Sequence, residues 1–580
     1  MTQQRYQAHG GDDAIFEWVK FFSPFAGLIA LVCGVLTGAA ALVAKLTGER
    51  ITSWWGSFSV VRGVTPGAAF GFPVTPWHYW IIVAGIAGVL ALIIPAVWLR
   101  APQWGATAFG WGRTPVYPDG VASATEIRQV AGDRALLRKA RVLRPSIRKA
   151  KPTDVGLLLG TSRGVPCWST VEDSVVVLGS PRSGKGFHLV IPAIMSAPGA
   201  VIATSTRPDN LVATLVQRSK IGPVAVFDPQ HLIDAKPAIG ISPMRWSPIR
   251  GCENPQVAMI RARGFAAGTG KGVTDGDFWA GLTAQIVQAL LHAAALDDRP
   301  TRDLYRWSLD PAAATEAIAI LEAHGSAASG WSSALEGVVH SEARQTRDSA
   351  WAGVRQAFAA LADPRVLEAV SPEPGEGFDP EVFLRSRGTL HILATASGAA
   401  AAGAIVAAFI EDVVEASRRI AATSPGGRLD PPLALVLDEV ANISPLPSLP
   451  SLVSEGGGSG ITTYVVLQSL AQARSRWGAE DAQTIWDAAI VKVVLGGGGN
   501  ADDLRDLSAL VGERDETTTS VSRSAGAGRS TSESVRRVAI LPPDAIRTLP
   551  FGRAILLHRA ARPIILSMIP WTKRHPSTKE

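Results

Sequence analysis

VVVLGSPRSGKGFHLVIP, residues Val175 to Pro192, joins an apolar β-branched run to a glycine-flanked loop and then to a second apolar stretch. The loop almost fits the phosphate-binding pattern G-x-x-x-x-G-K-[ST]. It departs at the last position, where Gly186 stands in place of the hydroxyl that usually meets Mg²⁺. A strand before the loop and a helix after it are the context such a loop needs. Successive backbone N–H groups from Ser180 to Lys185 would then form an anion nest at a helix N-terminus, where the macrodipole favours phosphate. The candidate nucleotide contacts are Gly179, Ser180, Pro181, Arg182, Ser183, Gly184, Lys185, Gly186 and Phe187, with Lys185 the point charge for the β- and γ-phosphates. A tight strand-to-helix turn without a ligand is the plainer alternative for a near-match standing alone.

Further strand signals follow the loop. Ala200–Ala203 and Val224–Phe227 are short apolar runs, and they resume much later at Thr389–Leu393 and Leu433–Leu437. Between them, from about Val257 to Ala369, the pattern is Ala-rich and helix-spaced, with Phe278, Leu282, Ile286 and Leu290 in one register. Strands alternating with helices argue a parallel α/β sheet, here interrupted by an all-helical insertion. Asp438-Glu439 closes the Leu433 run, where an Asp can complete a Mg²⁺ shell and a following Glu can polarise water. The run Ile461–Leu467 ends in Gln468, placed to sense a γ-phosphate, although a solvated Gln is the plainer reading of that residue taken alone. These residues imply ATP and Mg²⁺, with Lys185, Glu439 and Gln468 as catalytic candidates and Asp438 as the metal candidate. Without a hydroxyl at 186, Mg²⁺ is expected to rest on water, phosphate oxygens and the Asp438 shell.

The N-terminal hundred residues differ in kind. Phe21–Ala44 carries no charged residue, and Trp77–Leu99 is a second such run with aromatic residues at its ends. Each exceeds the roughly 20 residues that span a bilayer. The low charge, 18% of residues, and a mean hydropathy of +0.18 agree with a membrane part. Basic residues crowd the segment after the second run, from Arg100 to Lys151, which places that side and both termini in the cytoplasm. The same run suits anionic lipid as well as nucleic acid, and a net charge of +6 allows a polyanion partner without demanding one. Three cysteines, Cys33, Cys167 and Cys252, are too dispersed for a disulfide framework or a zinc site.

The chain resembles the TraG/TraD-type coupling proteins of bacterial conjugation and type IV secretion. The resemblance rests on the phosphate loop; on Phe227-Asp228-Pro229 with Arg245-Trp246-Ser247-Pro248; and on Asp277-Phe278-Trp279. It rests most on LVLDEVANISPLPSLPSLVSEGGGSGITTYVVLQSLAQARSRWG, residues 435–478, with IWDAAIVKVVLGGGGNADDLRDLSALVGER and RRVAILPPDAIRTLPFGRAILL near the C-terminus. It implies a RecA-like P-loop NTPase domain with an all-alpha insertion domain, preceded by a two-helix transmembrane anchor. It also implies a homo-hexameric ATPase at the cell membrane that couples single-stranded, relaxase-bound DNA and relaxosome proteins to the channel proteins of a type IV secretion system. Gly after the phosphate-loop Lys is common in that family, and the helical insertion is its substrate-facing part. One departure is Ser205 in Ser205-Thr206-Arg207-Pro208-Asp209, where many members carry an acidic residue.

The expected organisation is a cytoplasmic N-terminus at 1–20, two transmembrane helices with a short outer loop within 21–100, and a basic linker at 101–150. The nucleotide-binding domain then occupies 151–260 and 386–580, around an all-alpha domain at 261–385. Glu513–Arg537, rich in Ser, Thr and Gly, reads as a flexible surface loop. Arg474 and Arg476 read as a solvated helix face more readily than as arginine fingers, and His188 as structural. Two rival functions share parts of the pattern: a double-stranded DNA translocase of the FtsK/SpoIIIE kind, and a non-hydrolysing substrate receptor with a degenerate nucleotide site.

Overall fold

In the computed structural model the described residues are 32–100, except 49, 52–55 and 72–75, and 117–574, except 234–241, 268, 271–274, 374, 396–398 and 525–527. The chain divides into two compact units, Met1–Val116 and Tyr117–Glu580. In the first, the helix Val32–Thr47 and the 25-residue helix Pro76–Arg100 pack through Leu36, Ala39, Ala40, Val43 and Tyr79. The Tyr79 hydroxyl donates to the Leu36 carbonyl at 2.9 Å. The N-terminal segment 1–20 and the first half of the first expected span, up to residue 31, lie outside the described residues, as do parts of the outer loop and residues 101–116 of the expected linker.

The second unit is built on a twelve-stranded sheet. Its strands are β1 (Gly156–Ser162), β2 (Val165–Thr170), β3 (Val175–Leu178), β4 (Val201–Ser205), β5 (Val224–Phe227), β6 (Ser242–Pro243), β7 (Thr389–Leu393), β8 (Leu433–Asp438), β9 (Ile461–Leu467), β10 (Val491–Leu495), β13 (Arg553–His558) and β14 (Ile564–Met568), while β11 (Glu513–Ser524) and β12 (Gly528–Ala539) form a separate hairpin. The order is β2-β1-β14-β13-β10-β3-β9-β8-β4-β7-β5-β6. From β10 to β6 every neighbouring pair is parallel. The other four strands form an antiparallel wing. The parallel strands are buried on both faces, every residue of β3, β4, β7 and β9 among them, which is why they read as mostly apolar, β-branched runs without strict alternation.

Helices fill the interval between β6 and β7. The insertion leaves the sheet after the edge strand β6 and re-enters at β7, the two strands that flank β5, so the sheet closes without it. Its central helix, Gly276–Leu296, is long and apolar enough to cross a membrane by length and composition. Ile286, Val287, Leu290, Leu291, Ala293 and Ala294 are instead buried in the main core, as expected of the middle helix of a bundle.

Two expectations need correction. Residues 117–150 are not a bare linker: they form the helices Ala124–Val130, Asp133–Arg138 and Ala140–Leu143, with Ile127, Leu136 and Leu143 buried and Arg144 paired to Asp430 at 2.5 Å. Their basic residues share those helices with apolar ones, and net charge alone hid the apolar face. Glu513–Arg537 is not a flexible loop either, since β11 and β12 pair in register from Glu513↔Ala539 to Ser524↔Gly528. Thr and Val carry strand propensity that a count of Ser and Gly obscures.

Arg218 ties the helix between β4 and β5, Asp209–Arg218, to the amino ends of the strands. It is fully buried and donates to the Ala197 and Gly199 carbonyls at 2.7 and 2.8 Å and to the Thr389 hydroxyl at 2.7 Å. Arg218→Ala strands those acceptors, so the body should lose about 3 kcal/mol in denaturant unfolding, and Arg218→Lys should recover part of it.

Candidate nucleotide site

The carboxyl ends of β3, β8 and β9 lie side by side, since β9 pairs with both others. Ligands of open α/β sheets bind at such ends, where strand order reverses. The chain passes from β9 across β3 to β10, which makes β3 the reversal point. The loop after it holds the sequence candidates. The Gly179 N–H bonds the Leu467 carbonyl at 3.1 Å, fixing the loop's start to β9. Arg182 and Gly184 then take positive φ, 63° and 90°, and the chain enters a π-turn at Gly186–Val190 before the α-helix Ile191–Ser196.

Gly184 and Gly186 are glycine for different reasons. A Cβ on Gly184 would lie 2.7 Å from the Phe551 ring and 2.8 Å from His188 Nδ1. At Gly186 the backbone is helical, and a Cβ would meet nothing nearer than Asn210 Oδ1 at 3.9 Å. There is room for a side chain at 186, so steric need does not explain the missing hydroxyl.

Lys185 is buried, and its Nζ donates to the Gly179 and Ser180 carbonyls at 2.6 and 3.1 Å. Burial lowers its pKa, against the pull of Asp438 and Glu439. The Ser183 hydroxyl is buried without a partner. An unpaired hydroxyl beside an inward-folded ammonium is the donor set a phosphate would satisfy. Pro181, Arg182 and Phe187 are exposed at the loop's rim, and Ser180 Oγ reaches the Gly496 carbonyl at 3.4 Å. His188 turns away from the loop's mouth: Nδ1 meets the Gly184 carbonyl at 3.1 Å and the ring packs edge-on against Phe551.

Asp438 is the last residue of β8. Its main-chain carbonyl accepts from the Thr204 hydroxyl at 2.9 Å, and its carboxylate accepts from Asn210 Nδ2 at 3.4 Å. Burial, then the neighbouring Glu439 charge, pushes its pKa up to about 6, partly countered by Lys185. Glu439 adopts φ +53°, a left-handed conformation that is costly for a residue with a side chain and often found at functional positions. Its carboxylate accepts from Asn442 Nδ2 at 3.4 Å. Gln468 is half-buried at the tip of β9, and its N–H donates to Gln472 Oε1 at 3.1 Å. Among the described residues no three His, Cys, Asp or Glu cluster as a metal cage. One carboxylate with phosphate oxygens and water is the shell Mg²⁺ commonly takes.

The remaining candidates are accounted for. Arg474 pairs with Asp503 at 2.7 Å, while Arg476 is exposed on the same helix. Ser205 Oγ accepts from the Arg207 N–H at 3.2 Å and so serves the turn after β4. Sequence reading missed Asn210, Asn442, Gln472 and Phe551. Asn210 stands one residue past Ser205–Asp209. Asn442 and Gln472 lie about one helical turn beyond Glu439 and Gln468 and are joined only by the tertiary bond between them. Phe551 meets the site through tertiary packing that no local pattern encodes.

Residues 432–551 match the family model described as the TraM recognition site of TraD and TraG. No curated protein matches the sequence. Among solved structures the chain is similar to the bacterial conjugative coupling protein TrwBdeltaN70 in an unbound form, with a TM-score of 0.52 and 19% identity over 74% of this chain and 91% of that one. It is similar as well to plasmid coupling protein TrwB in complex with the ATP analogue ADPNP and with ADP and Mg²⁺, each with a TM-score of 0.51 and 18% identity over 76% of this chain and 93% of that one. The likeness establishes a RecA-like P-loop NTPase fold carrying a helical domain.

Two measurements test the local physics. Gly184→Ala should cost at least about 1 kcal/mol, because φ is positive and the Cβ collides; Gly186→Ala should be neutral or slightly stabilising in the same thermal melts. Asp438 in the unfolded chain ionises near 3.8 and in the folded protein near 6, so its contribution to stability is lost as pH rises through that interval. Without Mg²⁺, Asp438→Asn should flatten that part of the stability–pH curve and raise the melting temperature at pH 7.5.

Proposed function

We propose that this chain, which belongs to the TraG/TraD-type coupling proteins, is a membrane-anchored ATPase that couples a DNA substrate to a type IV secretion or conjugation channel and powers its transfer. The observation that carries the reading is the placement of Lys185 in the loop after β3 and of Asp438 and Glu439 at the end of β8, since parallel pairing of β9 with both strands brings those carboxyl ends side by side. In this reading the loop from Gly179 to Phe187 holds the ATP phosphates and Lys185 leaves the Gly179 and Ser180 carbonyls for phosphate oxygens. Asp438 would hold Mg²⁺ together with phosphate oxygens and water, and the ion would supply charge neutralisation on the phosphates. Glu439 receives a proton from the attacking water, and Gln468 contacts the terminal phosphate.

The membrane part of the proposal rests on Phe21–Ala44 and Trp77–Leu99, two uncharged runs of spanning length. The helix Pro76–Arg100 supports it with 25 residues, about 37 Å at the usual rise. Both termini are assigned to the cytoplasm from the basic residues after the second run. The partners are single-stranded, relaxase-bound DNA, relaxosome proteins and channel components. A homo-hexameric ring is the working assembly, with the helical insertion meeting the substrate. The match over 432–551, a TraM recognition site by description, supports the relaxosome contact.

The full-length chain in detergent or nanodiscs should hydrolyse ATP in the presence of Mg²⁺, faster with single-stranded DNA. Lys185→Ala and Glu439→Gln should each abolish turnover, with Glu439→Gln retaining nucleotide binding. Absence of turnover in the wild type in any oligomeric state, with nucleotide still bound, would leave the receptor reading in its place.

A further inference from the structure

We infer that Asn442 and Gln472 are positioning residues that hold the Glu439 carboxylate and tie it to the phosphate loop through the tip of β9; the catalytic consequence rests on the ATPase reading above. The contacts form an unbroken path. The Gly179 N–H, at the start of the loop, bonds the Leu467 carbonyl at 3.1 Å. The next residue's N–H, that of Gln468, donates to Gln472 Oε1 at 3.1 Å. Gln472 Nε2 donates to Asn442 Oδ1 at 2.8 Å, and Asn442 Nδ2 donates to Glu439 Oε2 at 3.4 Å.

The direction of every bond in this path follows from one group. A main-chain N–H can only donate, so the Gln472 atom facing Gln468 must be its oxygen. That leaves the Gln472 nitrogen for Asn442, which must therefore offer its oxygen. Asn442 is then obliged to turn its nitrogen towards Glu439, whose Oε2 accepts from it. Two side-chain amides that could each be flipped are both oriented by the end of β9. All three linking residues are half-buried, where competition from water is reduced. The Asn442 N–H also bonds the Glu439 carbonyl at 2.8 Å, which keeps the amide beside a residue held at φ +53°.

A displacement at the tip of β9 would therefore reach Glu439. If Gln468 shifts to meet a terminal phosphate, its N–H moves with it, Gln472 loses the donor that orients it, and the hold on Glu439 changes. Neither Asn442 nor Gln472 has a bond to the phosphate loop itself among the described contacts, so their replacement should leave ground-state nucleotide binding intact.

The test uses the full-length chain in nanodiscs and three variants: Gln472→Leu, Gln472→Glu and Asn442→Leu. Steady-state ATPase should show kcat reduced by about ten- to a hundredfold in each, the scale of a small misplacement of a reacting group, with KM for ATP and ADP affinity within about twofold of wild type. Gln472→Glu is the discriminating variant. Its carboxylate still accepts from the Gln468 N–H but cannot donate to Asn442, so hydrogen exchange at the Gln468 amide should stay slow while kcat falls. In Gln472→Leu both should change, the amide exchanging faster. Wild-type kcat in Gln472→Glu, a raised kcat in any variant, or loss of ADP binding alongside kcat would overturn the inference. If the wild type hydrolyses no ATP, the ATPase reading fails on its own, and unchanged exchange at Gln468 in Gln472→Leu would still refute the path.

Discussion

A parallel strand buried on both faces can carry polar function only at its ends. In this protein β3, β4, β7 and β9 have no exposed residue, so the polar side chains within them, such as His391 and Thr463, are shut away from solvent and ligand. The chemistry is therefore forced to the carboxyl tips, where the chain leaves the sheet. Asp438 sits at the last position of β8, and Gln468 just beyond β9. The parallel pairing through β9 sets their mutual register, since Asp438 lies opposite Val466 and Leu178 opposite Leu467. Site geometry follows from main-chain pairing before any side chain acts.

The same burial explains the electrostatics. Lys185 is held among carbonyls and Asp438 is raised in pKa because both are removed from water, and their attraction offsets only part of that cost. Such a pair is poised to exchange partners when phosphate and a divalent ion arrive. Glu439, in a left-handed conformation and bonded through Asn442 to the neighbouring strand, adds a backbone strain that the surrounding contacts maintain.

How much of this was legible in the sequence varies by element. Val224–Phe227, Thr389–Leu393 and Ile461–Leu467 stand in the structure as strands at the positions their apolar runs mark, because burial on both faces leaves a continuous signal. The antiparallel wing was not marked: Gly156–Ser162 mixes glycine and polar residues with apolar ones, and the short apolar runs of Arg553–His558 and Ile564–Met568 adjoin no motif that singles them out. The hairpin was hidden by its serines, and the packing of 117–150 by its charges. At the site, the loop, the acidic pair and Gln468 were visible as strand-end residues. Asn442 and Gln472 were not, because a Gln one helical turn beyond Gln468 becomes meaningful only when β8 and β9 are laid side by side.

Phe551 has a consequence for the order in which the protein is made. Its ring lies within contact of Gly184 and His188, more than 360 residues earlier in the sequence, and β3 cannot complete its pairing until β9 and β10 exist. Synthesis runs from the N-terminus at roughly 5–20 residues per second. The first strand of the site thus waits tens of seconds on the ribosome for its neighbours, with its apolar faces uncovered. A growing chain carries the phosphate loop early but has no assembled loop site until β9, β10 and Phe551 have followed it.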